Sequence, residues 1–156
     1  MSDQDLSETA NACLDRTRSA VLNVLVVVGI MIAASGLILG RHDPDTPLPW
    51  GFRETRQALL TALGVVSALS YLVLRVVAGR DRLRDPSRRE SRFFRGRVAS
   101  ASLAALAVPL GFAHGWFLDP DLKALAPFWV AALGLGFLAL PRGHELDDLD
   151  EPMAGG

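Results

Sequence analysis

Apolar residues along this chain are gathered into four long blocks that are separated by polar segments. Each block is about as long as the roughly 20 residues that an α-helix needs to cross ~30 Å of hydrocarbon. The pattern therefore predicts an all-α integral membrane protein with four transmembrane helices, arranged as one helical bundle or as two helical hairpins. The predicted spans cover residues 19–40, 57–78, 98–117 and 121–140.

Prolines set the expected breaks and ends of these helices. Pro109 lies near the centre of the third span, where it is expected to kink the helix and free the carbonyl of Ala105. Very few residues separate the third span from the fourth, so these two spans should form a hairpin. Within that connection, Asp119 predicts the N-cap of the last helix and Pro120 its first helical position.

Both ends of the chain are polar. Residues 1–18 form an acidic N-terminal tail, whose apolar spacing also allows a short amphipathic helix on the membrane surface. Residues 142–156 form an acidic C-terminal tail. Half of all residues are hydrophobic, which is too apolar for an ordinary soluble domain. Cys13 is the single cysteine, so an internal disulfide is excluded.

The segment 79–97, between the second and third spans, is predicted to be a loop and is crowded with arginine. Its eight arginines are Arg80, Arg82, Arg84, Arg88, Arg89, Arg92, Arg95 and Arg97. With four spans, this loop and both termini share one side, and that side holds twelve of the sixteen basic residues. The other four are Arg41, Arg53, Arg56 and Lys123. Since cytoplasmic loops carry the excess of lysine and arginine, both termini should be cytoplasmic, in a multi-pass protein of the inner membrane.

The same eight arginines are candidate contacts for anionic lipid headgroups, each worth about 1 kcal/mol near a charged membrane surface. The alternative is that they only determine orientation. We do not expect nucleic acid as a partner, because neither a nucleic-acid-binding fold nor a stacking surface accompanies the charge.

Small residues spaced four apart are candidates for close helix packing. Lipid supplies no hydrophobic drive between helices, so close van der Waals contact must hold them together. The candidates are Gly36 with Gly40, Ala101 with Ala105, and Ala132 with Gly136.

His114 is the one ionisable residue predicted inside the third span. A neutral imidazole in a membrane is a possible ligand for haem or chlorophyll. A second histidine inside a span, which a bis-histidine haem requires, is not predicted, and Trp116 marks the membrane interface nearby. An interfacial histidine bonded to a neighbouring helix or a headgroup is therefore favoured, and no cofactor is expected.

No motif that joins a nucleophile to a base occurs in the chain, so we do not expect an enzyme. Acidic and basic residues are absent from the middle of the predicted spans, whereas ion-coupled transporters usually need them there. The leading hypothesis is a small structural, accessory or assembly subunit of a larger membrane protein complex. Its partner would be another membrane protein or further copies of the chain. The alternative hypothesis is an oligomeric channel or a small-solute transporter.

Overall fold

The computed structural model describes residues 3–41, 52–79, 86–119 and 121–142 of the chain. Side chains are described for residues 11–41, 53–76, 91–119 and 121–142. Every regular element in these ranges is an α-helix, which confirms the all-helical prediction. The helices are α1 (Asp3–Leu39), α2 (Phe52–Gly79), α3 (Pro86–Ala105), α4 (Ala107–Phe117) and α5 (Leu122–Leu138).

Three stretches of helix are long enough and apolar enough to cross a membrane. They are Asn11–Leu39, Arg53–Val76 and Ser91–Phe117, the last formed by α3 and α4 together. The fourth predicted span corresponds to α5, which has 17 residues and is shorter than the others. Length and composition thus suggest a multi-pass membrane protein with three long apolar helices and one shorter one.

Helix α1 begins at Asp3 and continues without a break through the first predicted span. The N-terminal segment is therefore neither a separate surface helix nor an irregular tail from that residue onward. The sequence explains the continuity, because neither glycine nor proline occurs before Gly29.

The predicted loop 79–97 is also partly helical, because α3 begins at Pro86 and includes the arginines from Arg88 to Arg97. Proline is favoured in the first turn of a helix, where its missing amide donor costs nothing. Arginine is a good helix former. A dense run of arginine therefore extends the third apolar helix outward rather than interrupting it.

The break between α3 and α4 lies at Leu106, one turn before Pro109. There the amide of Leu106 donates to the carbonyl of Leu103 at 3.1 Å, and the amide of Leu110 reaches the carbonyl of Leu106 only at 3.5 Å. Proline cannot donate to the preceding turn, and its ring displaces the carbonyl four residues before it. The interruption predicted from Pro109 is confirmed.

The N-cap of the last helix was predicted at the wrong aspartate. Asp121 occupies that position, and its carboxylate accepts a hydrogen bond from the amide of Lys123 at 3.2 Å. The amide of Asp119 still donates to the carbonyl of His114, so Asp119 completes the end of α4. Its carboxylate accepts from the amide of Asp121 at 2.9 Å, which links the two helix ends.

Helix α3 is at the centre of the bundle. Its most extensive contact is with α2, and it also packs against α1 and α5. Within the described residues, no α-carbon of α1 comes within 8 Å of one in α2. Consecutive helices α1 and α2 therefore do not form a hairpin. Of the two predicted arrangements, the single bundle is observed.

Candidate functional site at the helix interfaces

The arginine-rich segment places its described side chains on two different surfaces. Arg92 and Arg95 are exposed on the second and third turns of α3, whereas Arg97 is buried. The side chains of Arg88 and Arg89, and the whole of Arg80, Arg82 and Arg84, lie outside the described residues. Nearby, Arg16 of α1 stacks on Phe94, with its guanidinium carbon 5.2 Å from the ring centroid. One end of the bundle is thus basic on both α1 and α3.

Arg97 points into the bundle and binds the end of α5. Only 5% of the residue is exposed. Its Nη1 donates to the carbonyl of Leu138 at 3.3 Å and lies 3.5 Å from that of Leu140. The guanidinium also lies 5.1 Å from the ring centroid of Phe93. A cation is favourable at a helix C-terminus, where carbonyl groups lack partners. Arg97 is therefore a helix-capping residue, and the prediction of a headgroup contact does not suit it.

A signal for the role of Arg97 was present in the sequence. If the arginine segment is a helix, the residues spaced alternately four and three apart from Phe93 onward lie on one face, and that face continues into the apolar span. The buried residues on that face include Phe93, Arg97, Ser100, Ala104, Ala107, Gly111 and His114. Treating the segment as a loop concealed this periodicity.

Two serines join α2 to α3 by reciprocal hydrogen bonds. The hydroxyl of Ser70 donates to the carbonyl of Ser100 at 2.9 Å, and the hydroxyl of Ser100 donates to the carbonyl of Ser70 at 3.0 Å. The two hydroxyl oxygens are 3.2 Å apart. Ser70 is fully buried and Ser100 is 1% exposed. Each residue thus satisfies the other, and the pair fixes the register of the two helices.

Glycines allow α4 and α5 to approach closely. A Cβ atom added to Gly111 would lie 2.8 Å from the Cβ of Phe128 on α5. One added to Gly115 would lie 2.5 Å from a methyl group of Leu39 and 3.1 Å from one of Leu125. Gly111 and Gly115 have the same four-residue spacing as the predicted packing residues, although they are not among them.

The predicted packing residues differ in how tightly they fit. Gly136 faces Leu25 of α1, and an added Cβ would lie 2.6 Å from that leucine. Ala101 and Ala132 are buried, and Ala105 is half-buried. At Gly36 the nearest atom is in the Trp129 ring, 3.8 Å from an added Cβ, which is an ordinary contact. Gly40 lies at the end of α1, where the nearest atom is the carbonyl oxygen of Gly36.

His114 lies on α4, and its side chain is buried against α5. It is 4% exposed, and its ring centroid lies 5.3 Å from that of Phe128. Among the residues that the structure describes, neither the Nδ1 of His114 nor the indole Nε1 of Trp129 has a hydrogen-bond partner. The backbone carbonyl of His114 accepts a hydrogen bond from the amide of Leu118 at 2.9 Å, at the C-terminal end of α4. The favoured prediction for His114 was an interfacial side chain bonded to a neighbouring helix or a headgroup, whereas the structure shows a packed interior side chain whose Nδ1 makes no such bond among the described residues.

A groove of about 670 Å³ lies open on the surface of α2. Its polar end comprises Glu54, Gln57 and Thr61, and the remainder is apolar. All the described residues lining it belong to α2: Glu54, Gln57, Ala58, Thr61, Ala62, Val65 and Val66. The groove is shallow and wide open, and none of the other described helices covers it.

These features concern packing between helices rather than reaction chemistry. Within the described part of the chain, no three side chains of histidine, cysteine, aspartate or glutamate come together as a metal site. No known protein family matches the chain, and neither a curated protein nor a solved structure is similar to it.

Proposed function

We propose that this chain is a small structural subunit, an accessory or assembly factor of a larger protein complex in the cytoplasmic membrane. In this proposal α5 crosses the membrane as a fourth span. Its 17 residues extend about 26 Å along the helix axis, slightly less than ~30 Å of hydrocarbon. The capping of its end by Arg97 supports this placement, since a donor at the carbonyls allows a short helix to end within the membrane boundary.

The proposed orientation places both termini and the basic end of the bundle in the cytoplasm. Its support is the distribution of lysine and arginine between the two sides. Arg92 and Arg95, exposed at that end, are the described arginines that we expect to contact anionic lipid headgroups.

One observation carries the structural role: three buried polar side chains, those of Ser70, Ser100 and Arg97, join one helix to another. Ser70 and Ser100 bind each other, and Arg97 binds the end of α5. Close contacts at Gly111 and Gly136 complete the packed interior. Such groups would have to be released from their partners before they could line a path for a solute. The interior is suited to holding a fixed shape against another membrane protein.

The groove on α2 is the proposed docking surface for that protein. Within it Ala58 is exposed, and the small side chains of Ala58 and Ala62 create the concavity. A helix of the partner would bury its apolar side chains there, with Gln57 and Thr61 offering polar contacts at one end.

Extraction in a mild detergent, followed by mass spectrometry of co-purifying proteins, tests the proposal. We expect stoichiometric membrane partners with the unaltered chain and their loss with Ala58→Trp, which fills the groove. Ala126→Trp is the matched control, because Ala126 is exposed on α5, away from the groove. Recovery of the unaltered chain free of other proteins would contradict the proposal.

A channel or small-solute transporter built from several copies is the second candidate. The observation that favours it is the polar end of the α2 groove, which becomes an enclosed path only when another subunit covers it. Solute flux in liposomes containing the purified chain alone would support this function over the structural one.

A further inference from the structure

From residue 20 to residue 38, the outward face of α1 is apolar except for one amide side chain. The opposite face packs into the bundle through Val21, Leu25 and Val28. Outward, Val26 is 60% exposed, Ile30 63% and Leu37 69%. Asn23 is exposed on the same face, in line with Ile30 and Leu37.

Asn23 has no hydrogen-bonding partner among the described residues. It follows Ser19, the first residue of the predicted span, by one turn, which is about 6 Å along the helix axis. An amide surrounded by lipid tails is unfavourable, because its donors and its acceptor lose their water partners. Asparagine in a membrane helix is therefore typically bonded to another helix.

We infer that a second copy of this chain docks on the outward face of α1, with the two Asn23 amides hydrogen-bonded to each other. Copies of one chain share one orientation in a membrane, so their α1 helices run parallel. A two-fold axis along the membrane normal then places every residue of α1 opposite its own equivalent at the same depth. Because an amide both donates and accepts, Asn23 is complementary to itself.

The spacing of residues along the outward face of α1 also supports a second copy of the chain as the partner. Asn23, Ile30 and Leu37 recur every seven residues, with Val26 and Ala33 exposed between them at the second position of the repeat. This is the repeat of a parallel two-stranded coiled coil, and one asparagine in such a seam selects the dimer and its register. A different protein would need its own polar group at the depth of Asn23.

This inference goes beyond the proposed accessory function, because it concerns a second copy on α1 rather than another protein on α2. The two surfaces carry separate tests. A crosslinked dimer would not decide whether other proteins co-purify with the chain. Likewise, a lack of co-purifying proteins would not argue against the dimer.

Single-cysteine crosslinking in native membranes provides the test. Cys13→Ser removes the only natural thiol. In that background Ile30→Cys is expected to form a disulfide-linked dimer on mild oxidation. Val130→Cys, on α5 and 68% exposed, is the matched control and should remain monomeric. A yield of dimer at Val130→Cys equal to that at Ile30→Cys would indicate random collision and overturn the inference.

Asn23 itself is tested in the Ile30→Cys protein. We expect Asn23→Leu to lower the dimerisation constant by about three- to thirty-fold, and Asn23→Gln to lower it less. Because Asn23 is exposed, neither substitution should disturb the folded monomer. An unchanged yield with Asn23→Leu, no crosslink at Ile30→Cys, or a crosslinked product of a mass other than twice the chain would each overturn the inference.

Discussion

At the contact between α2 and α3, two buried serines hold the helices together by bonding to each other's carbonyls. At the contact between α4 and α5, Gly111 brings the helices so close that one additional carbon would meet Phe128. The first contact depends on the two serine hydroxyls, and the second depends on the lack of a Cβ atom at Gly111. They should therefore respond to opposite kinds of substitution. Removing atoms should weaken the first, and adding atoms should disrupt the second.

The largest effect is expected from Gly111→Leu. The clashing atom is the Cβ of Phe128, 2.8 Å away, which cannot move without moving α5. We expect the free energy of unfolding to fall by about 1–3 kcal/mol or more, measured by thermal unfolding in detergent. The control is Gly134→Leu, because an added Cβ at Gly134 meets nothing within 4 Å. Equal Tm values for the two variants would show that α4 and α5 are not in close contact.

Arg97→Ala tests a polar contact that lies between these two regions, where α3 meets the end of α5. It leaves the carbonyls of Leu138 and Leu140 without their donor, which should cost about 1–3 kcal/mol. Hydrogen exchange should increase most in the last turn of α5, and Tm should fall. Arg95→Ala removes an exposed arginine from the same helix and should leave both measurements unchanged.

Ser70→Ala should cost less, about 0.5–2 kcal/mol, because hydrogen bonds between membrane helices contribute little each. The reciprocal geometry makes a sharper prediction for the double variant. In the Ser70→Ala protein the Ser100 hydroxyl keeps its bond to the carbonyl of residue 70 but has lost its contact with the Ser70 hydroxyl. Ser100→Ala should therefore cost somewhat less there than it does alone. Ser102→Ala, exposed on α3, is the control. Strictly additive losses in unfolding free energy would contradict a coupled pair.

Gly36→Ala should have the smallest effect. Its added Cβ meets Trp129 at 3.8 Å, so no neighbour must move, and alanine is the better helix former. We expect the free energy of unfolding to stay constant or rise by up to about 1 kcal/mol. A marked fall in Tm would show that α1 and α5 approach each other more closely at Gly36 than this distance indicates.

The sequence predicted those parts of the fold that depend on local pattern. The helical chain follows from the apolar blocks, and the break near Pro109 follows from the missing amide donor. From Pro86 onward the arginine segment is helical although its density of charge predicts a loop. Its propensity for helix and the proline at its start indicated otherwise.

Contacts between distant residues were beyond prediction from one sequence. Ser70 and Ser100 are thirty residues apart, and nothing in either local sequence identifies the other as its partner. The same holds for Arg97 and Leu138. One of the two predicted arrangements, a pair of hairpins, would join α1 to α2, whereas both pack on α3. Gly111 and Gly115 were within reach of prediction, since their spacing is the one already applied to Gly36 and Gly40.

The uninterrupted length of α1 has a mechanical consequence. Its 37 residues extend about 55 Å. In the proposed placement, the ~30 Å interior of a membrane would hold only part of that length. Roughly 25 Å of helix would remain outside, most of it between Arg16 and Asp3. A small change in the tilt of α1 would displace its N-terminal end sideways, by a distance proportional to the length of helix outside the membrane. A protein that bound the first turns of α1 could thus change the tilt of α1 relative to the membrane and, through it, the orientation of the bundle.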